Sequence, residues 1–467
     1  MTMHLPEPFS AEVFEASRFE KQHEITLRGE TVRFRTVSED TVFYSPEGKP
    51  EASIFSISYE RECNDPQRPV MFCWNGGPGS ATSTLHLECF GPWGIARDED
   101  GNPVYGLTES ADCLLDVCDL VFVDPVSVGL SRLLDPEKQS KYWSVDGDAR
   151  SVAFFMIEWL RRRGRWETPV YICGESYGTV RACRVLAELG RSPYSESRMV
   201  PGIPVAGVAL VGLATSDDLC DTELTAAMMP AMAASNWYHH AELQTVSQNE
   251  FVEEAWQFAR REVIPALFDG YAIDPAQKQD VAQKLSHYTG MPVDYWMSHD
   301  LRIASANDFM TRALPGCTID LYDARMKTPD GMPYNVIGST NTPLRVMNGL
   351  LMPRLGIDTR RLYYTGNLNI NFGFNNETEP LDPPFKRTHI ECLRDSMLSN
   401  PQMKLLFASG LYDLCTHAGN TRYVVNHAGL PMDRTAVREY PGGHGVYSSE
   451  EGRAAFLSDL RNMIERG

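Results

Sequence analysis

A chain of 467 residues with 43 lysines plus arginines against 62 aspartates plus glutamates carries a formal net charge of −19. Such acidity repels phosphate and anionic lipid, which excludes non-specific nucleic-acid binding and adhesion to a membrane surface. With 43% apolar and 22% charged residues the composition is that of a globular protein, and wholesale disorder is excluded.

The first residues, MTMHLPEPFSAEVFEASRFE, hold no basic segment followed by an apolar core, so no signal peptide is read. A cytoplasmic location is expected, the alternative being a periplasmic or secreted protein whose leader is missing. Residues 23–60 alternate apolar and polar side chains around a glycine turn and again around SPEGKP, which predicts antiparallel hairpins. From Pro69 the texture changes to short apolar runs of the kind buried in parallel sheets: PVMFCW, then DLVFVD at 119–124 and TPVYICG at 168–174. VAGVALVGLA at 205–214 and KLLFASG at 404–410 follow. Between them, Ser144 to Arg163 repeats apolar residues at helical spacing, and Thr179 to Leu189 reads as a second helix. Strand alternating with helix predicts a doubly wound α/β sheet.

That alternation lapses between Ala214 and about Arg345, where helical segments with Pro and Gly breaks predict a cap inserted over the sheet. The rival reading is a separate domain, against which stands the lack of a flexible linker on either side. The longest nearly apolar stretch, Val200 to Ala214, contains Pro201 and Pro204 and is shorter than the ~20 residues a membrane span needs. No membrane partner is expected.

The strongest chemical signal is VYICGESYGTVRA at 170–182. Gly174-Glu175-Ser176-Tyr177-Gly178 is G-x-S-x-G placed after an apolar strand and before a helix, the context of a nucleophile elbow. In such a fold the acid and base follow the serine in chain order. Asp413 stands just after KLLFASG, and His444 stands in the glycine-rich loop of TAVREYPGGHGVY. Read in isolation, Asp413 could be a helix N-cap and His444 a loop histidine; their joint order favours a triad with Ser176. A second glycine loop, Trp74-Asn75-Gly76-Gly77-Pro78-Gly79-Ser80, can turn its N–H groups toward one point and form an oxyanion hole completed by the N–H of Tyr177. It lacks the G-K-[ST] ending of a phosphate-binding loop.

These blocks together, WNGGPGS, GESYG, SGLYD around Asp413 and GGH at 442–444, resemble the serine carboxypeptidases, peptidase family S10. VDPVSVGLS at 123–131 is similar to a further family segment, with Val128 where a small or hydroxyl residue is usual. The resemblance spans residues 69 to 447 and implies a single α/β-hydrolase catalytic domain over 1–467. Its sheet would be mostly parallel, led by the N-terminal hairpins, with a mainly helical cap insertion at about 215–345. It implies Ser176 as nucleophile, His444 as base, Asp413 as orienting acid, and Gly77 and Tyr177 as oxyanion donors. Asn75, Gly76 and Glu175 would hold the terminal carboxylate of a peptide substrate with a free C-terminus. The expected reaction is hydrolysis of the C-terminal peptide bond through an acyl-enzyme, with ester hydrolysis or acyl transfer on the same triad as the alternative. Two positions depart from the family: Ser80 replaces a cysteine usually in a disulfide, and Cys89 stands where eukaryotic members carry a second glutamate, with Glu88 one residue out of register. The β-rich start is more similar to bacterial members.

No cofactor or metal is expected. His239-His240 lacks HExxH geometry, and the eleven cysteines show no CxxC spacing. Cys73, Cys118 and Cys173 lie in or beside apolar runs and are read as buried thiols, though disulfides among the others remain open. Trp237, Tyr238, Tyr295 and Trp296 are expected to pack inside the cap.

Overall fold

The alternating residues near the N-terminus form three long antiparallel strands: β1 (Arg18–Leu27), β2 (Glu30–Tyr44) and β3 (Pro50–Arg61). The computed structural model describes residues 14–99, 101–190, 202–215, 221–332, 341–378 and 387–465. After β3 come β4 (Val70–Trp74), a hairpin of β5 (Trp93–Arg97) and β6 (Pro103–Glu109), then β7 (Asp119–Asp124) and the short β8 (Arg132–Leu133). The later strands are β9 (Val170–Glu175), β10 (Val205–Val211), β11 (Cys317–Ile319), β12 (Lys327–Pro329), β13 (Lys404–Gly410) and β14 (Thr435–Tyr440).

Ten of these strands make one sheet in the order β1-β2-β3-β7-β4-β9-β10-β13-β14, with β8 paired to β3. Pairing is antiparallel up to β3–β7 and parallel from β7 to β14. Every residue of β4, β7 and β9 is buried, which explains their unbroken apolar runs: helices cover both faces, so no face can be polar. This is the α/β-hydrolase architecture expected from the sequence.

The helix Val145–Arg163 starts where the Ser144 hydroxyl accepts the Gly147 N–H at 3.1 Å and ends at Gly164 in the left-handed region. Asp146 and Asp148 lie in its first turn and Arg161 to Arg163 in its last, as the helix dipole favours. It buries Phe155 and Trp159 edge-on against Phe72 of β4, and each such ring contributes about 1.5–3 kcal/mol of burial. The helix after β9 spans Tyr177–Leu189 and begins two residues earlier than the sequence pattern indicated. The chain reverses within the single residue Ser176, so no connecting loop is needed.

Between β10 and β13 the chain leaves the main sheet. Its helices Asp221–His239, Gln248–Phe258 and Pro275–Thr289 bury a second apolar cluster, which also takes Leu411, Tyr412 and Leu414 from the end of β13. From Val346 the chain again contributes side chains to the main core. The cap also contains the hairpin β11–β12, which its helical texture did not announce. Tyr295 and Trp296 are buried in the cap cluster and Trp237 packs against it. Tyr238 differs: it is 45% exposed and lies edge-on to Tyr412, because it sits near the end of its helix beside the acid loop. Among the described residues no helix is long and apolar enough to cross a membrane.

Candidate active site

Ser176 joins β9 to the helix Tyr177–Leu189 with φ 58° and ψ −130°, a positive φ that costs a side-chain-bearing residue on the order of 1–3 kcal/mol. Neighbouring elements hold it there. Its N–H donates to Val211 O at 2.8 Å, and its carbonyl accepts from the Thr179 N–H at 2.8 Å and the Thr179 hydroxyl at 2.7 Å. Tyr177 is the first helical residue, so its N–H has no partner within the helix and lies at the positive end of the dipole.

The Trp74–Ser80 loop packs directly on this elbow. A Cβ on Gly76 would strike the Tyr177 nitrogen and lie 2.7 Å from Glu175 O, so this position admits only glycine. Asn75 is fixed from both ends. Its carbonyl accepts from Arg181 Nη1 at 2.6 Å, and its side-chain oxygen accepts the Leu85 N–H at 3.2 Å. Arg181 is buried and pairs with the buried Asp148 at 2.7 Å; one turn on, Arg184 pairs with the buried Asp146. Burial pushes the Asp148 carboxyl up, and Arg181 opposes that shift. Beneath the loop, Asp124 accepts the Thr82 N–H at 2.9 Å and the Tyr363 hydroxyl at 3.0 Å, and burial raises its carboxyl to about 6.

Glu175, one residue before the serine, is only 5% exposed. Asn75 Nδ2 donates to its Oε1 at 2.7 Å and the Tyr447 hydroxyl donates to its Oε2 at 2.6 Å. Burial raises this carboxyl to about 7, although His444, Tyr447 and Asn75 all pull the other way. Glu175 is thus poised to hold a proton near neutrality. Cys89 is buried nearby with its thiol pushed well up by burial, and Glu88 turns toward Arg97 at 3.6 Å. The carboxyl that Asn75 and Tyr447 hold is therefore that of Glu175 alone.

On the other side, His444 Nδ1 lies 2.9 Å from Asp413 Oδ2. An ionised carboxylate only accepts, so Nδ1 carries the proton and Nε2 is left with its lone pair, the form a base needs. Asp413 is fully buried. Burial would raise its carboxyl, but the charge of His444 and four hydrogen-bond donors hold it below the ordinary range. Burial lowers His444, yet Asp413 outweighs it and the imidazole sits above its usual value. The ring lies beside the end of β10: a Cβ on Gly212 would be 3.5 Å from His444 Nδ1, and Gly212 follows the residue that accepts the Ser176 N–H.

A turn of the cap, Asp320 to Met326, clamps both loops. Tyr322 O accepts the His444 N–H at 2.6 Å, Leu321 O accepts from Leu414 N at 3.2 Å, and Ala324 N donates to Tyr412 O at 2.9 Å. Asp323 accepts from the Ser448 hydroxyl at 3.0 Å and pairs with Arg325, whose Nη1 donates to Pro441 O at 3.1 Å. The Tyr322 ring lies tilted over His444 at 5.2 Å. None of these cap residues was singled out from the sequence, nor were Tyr447 and Thr416. The only sequence signal available was the proximity of Tyr447 and Thr416 to His444 and Asp413.

Asn75, Gly76, Glu175, Ser176 and Tyr177 therefore form one cluster, with Gly77 next along the same loop, and Asp413 and His444 pair opposite it. His239 and His240 instead bond Ala324 O and Asn236 O, and no group of three or more metal-ligating side chains occurs among the described residues. The ten cysteines among the described residues are all free thiols; Cys220 lies outside them.

Comparison with known proteins gives this geometry a family. Among solved structures, the prohormone-processing carboxypeptidase Kex1 of Saccharomyces cerevisiae superposes with a TM-score of 0.55 at 11% identity, over 96% of this chain and 90% of that one. That likeness shows the fold. A putative aryl esterase of Burkholderia cenocepacia (TM-score 0.38, 14% identity, 91% and 98% covered) and a proline iminopeptidase of Mycobacterium smegmatis (0.38, 12%, 92% and 99%) are more distant. No curated protein matches the chain. The Peptidase_S10 model, described as serine carboxypeptidase, matches residues 33–323, a span that holds Ser176 and the glycine loop and ends before Asp413 and His444. The chain belongs to the serine carboxypeptidase family.

Proposed function

We propose that this protein is a serine-type carboxypeptidase that removes the C-terminal residue of peptides through an acyl-enzyme on Ser176. Nε2 of His444 takes the Ser176 proton as Oγ attacks the last peptide carbonyl, and Asp413 steadies the imidazolium that forms. The N–H groups of Gly77 and Tyr177 receive the oxyanion. His444 then gives its proton to the departing amine, and a water activated by the same ring releases the peptide from Ser176.

The observation that carries this reading is Glu175. Its buried carboxyl sits between Asn75 and Tyr447 and is held near about 7. A protonated carboxyl at that place can donate a hydrogen bond to a substrate carboxylate, whereas an ionised one repels it. A general esterase has no use for that proton.

The test is a mixed peptide library incubated with the enzyme and with Ser176→Ala, read by mass spectrometry. One-residue trimming from free C-termini, lost in the variant, supports the proposal. Cleavage of esters alone, or transfer of the acyl group to added alcohols in preference to water, overturns it in favour of an esterase or acyltransferase. A reducing compartment is also proposed, supported by the ten free thiols. Thiol titration of the denatured, unreduced protein should find nearly all eleven cysteines free, and four or more disulfides would reverse that assignment.

A further inference from the structure

The acid–base pair has a third member. Thr416, buried three residues beyond Asp413, places its Oγ1 2.5 Å from Asp413 Oδ2 and 3.1 Å from His444 Nδ1. His444 Nδ1 reaches the same Oδ2 at 2.9 Å, so the three atoms form a triangle. A carboxylate offers no proton, so the hydroxyl must donate to Oδ2, as Nδ1–H does. The single hydroxyl proton is then committed. Thr416 faces Nδ1–H with a lone pair and does not compete for its role as donor.

The other carboxylate oxygen, Oδ1, accepts the N–H groups of Cys415 at 2.8 Å and Thr416 at 3.0 Å. Thr416 thus supplies two of the four donors on Asp413. Room for its hydroxyl depends on Gly212, which has φ +60° and whose added Cβ would lie 2.6 Å from Oγ1.

We propose that Thr416 is a positioning residue that sets the basicity of His444 by acting through Asp413. A hydrogen bond donated to a carboxylate stabilises its charge and makes it less basic. A less basic Asp413 holds the imidazolium less tightly, so His444 stays neutral, and competent as a base, to lower pH. The other groups around the ring do not substitute for it. Glu175 across the site favours the imidazolium when ionised. Tyr322 presents its ring, the Cys415 thiol is pushed up to about 12, and buried His417 is pulled down to about 4, so all three are neutral. On the cap turn, Asp320 accepts the N–H groups of Tyr322 and Asp323, and Asp323 pairs with Arg325. Of the groups around Asp413 Oδ2, the Thr416 hydroxyl is the dipole that substitution can remove without altering a charge.

The inference rests on the triad reading, and the test separates the two. The acid limb of kcat is measured with a substrate whose C-terminus is blocked, which removes the part Glu175 plays in binding a substrate carboxylate, while its charge acts alike on His444 in every variant compared. Thr416→Val keeps the shape and removes the donor; its acid limb should move up by about half to one pH unit, with the plateau lowered about tenfold. Thr416→Ser should restore both to within about twofold of the wild type. Thr416→Cys, a weak donor of similar size, should fall between them and stands in if the valine variant does not fold. A valine or cysteine variant whose plateau falls while its acid limb stays put shows a merely structural residue and overturns the inference. Labelling of wild-type Ser176 by a serine-directed phosphonate keeps the triad reading in either case, and labelling elsewhere sinks that reading instead.

Discussion

The two halves of the candidate site are built differently. The nucleophile half, Trp74–Ser80 with Gly174–Gly178, is held from within the sheet and by buried arginine–aspartate pairs on adjoining helices. The acid–base half, Asp413 with His444, rests on loops that the cap turn Asp320–Met326 grips through backbone hydrogen bonds and Arg325. One half is rigid by burial, and the other is tied to the segment inserted between β10 and β13. This division predicts that lesions in the first half cost stability, while lesions at the clamp cost turnover.

The largest effects should come from the residues the two halves bring together. Ser176→Ala, Asp413→Asn and His444→Ala should each lower kcat by on the order of 10⁴-fold, and double variants should be little worse than the worst single one. Additive losses would show that the halves do not act as a unit. Next in size is the brace of the nucleophile half. Arg181→Met leaves Asp148 buried without its charge partner and should cost ~3–5 kcal/mol in a denaturant titration.

Glu175→Gln should act in the opposite direction, and only at higher pH. The folded-state value of about 7 lies above the usual 4.5, so the folded protein keeps this proton where the unfolded chain has lost it. Wild-type stability from this group is whole below about 4.5 and is lost as pH rises through about 7. The glutamine variant lacks that loss, so its stability relative to wild type should improve by about 3 kcal/mol between pH 4.5 and 8. Last, Arg325→Ala loosens the clamp at a partly buried surface. It should lower kcat on the order of tenfold with a small change in thermal midpoint; a large stability loss with kcat intact would contradict the division between the halves.

The same contrast decides what the sequence could reveal. The nucleophile half is written in two short contiguous motifs whose strand-to-helix context shows in the apolar runs beside them, so Ser176 and Tyr177 were legible from that context, while Asn75, Gly76 and Glu175 were implied by the resemblance to the serine carboxypeptidases. Asp413 and His444 were legible from chain order and glycine content. The clamp was not, because Tyr322 and Arg325 meet His444 and Pro441 from about 120 residues away, a contact that no local pattern encodes. The hairpins β5–β6 and β11–β12 were missed for a related reason. They are short, lie outside the main sheet, and carry no apolar run. Thr416 is an ordinary residue in the sequence and gains meaning only when Asp413 and His444 converge on it.

The most direct test of a serine carboxypeptidase that reads the C-terminus is the pH profile of KM and kcat for two substrates alike except for a free or blocked C-terminal carboxylate. In the proposed mechanism the raised His444 must lose its proton to act, so kcat should fall for both substrates on the acid side, at higher pH than for an ordinary imidazole. KM for the free carboxylate should climb as Glu175 ionises near about 7, while KM for the blocked substrate stays flat. The free peptide should therefore show a narrow bell in kcat/KM close to neutrality, and Glu175→Gln should remove its alkaline side. If both substrates follow the same KM curve, Glu175 does not read the C-terminus and the carboxypeptidase assignment fails.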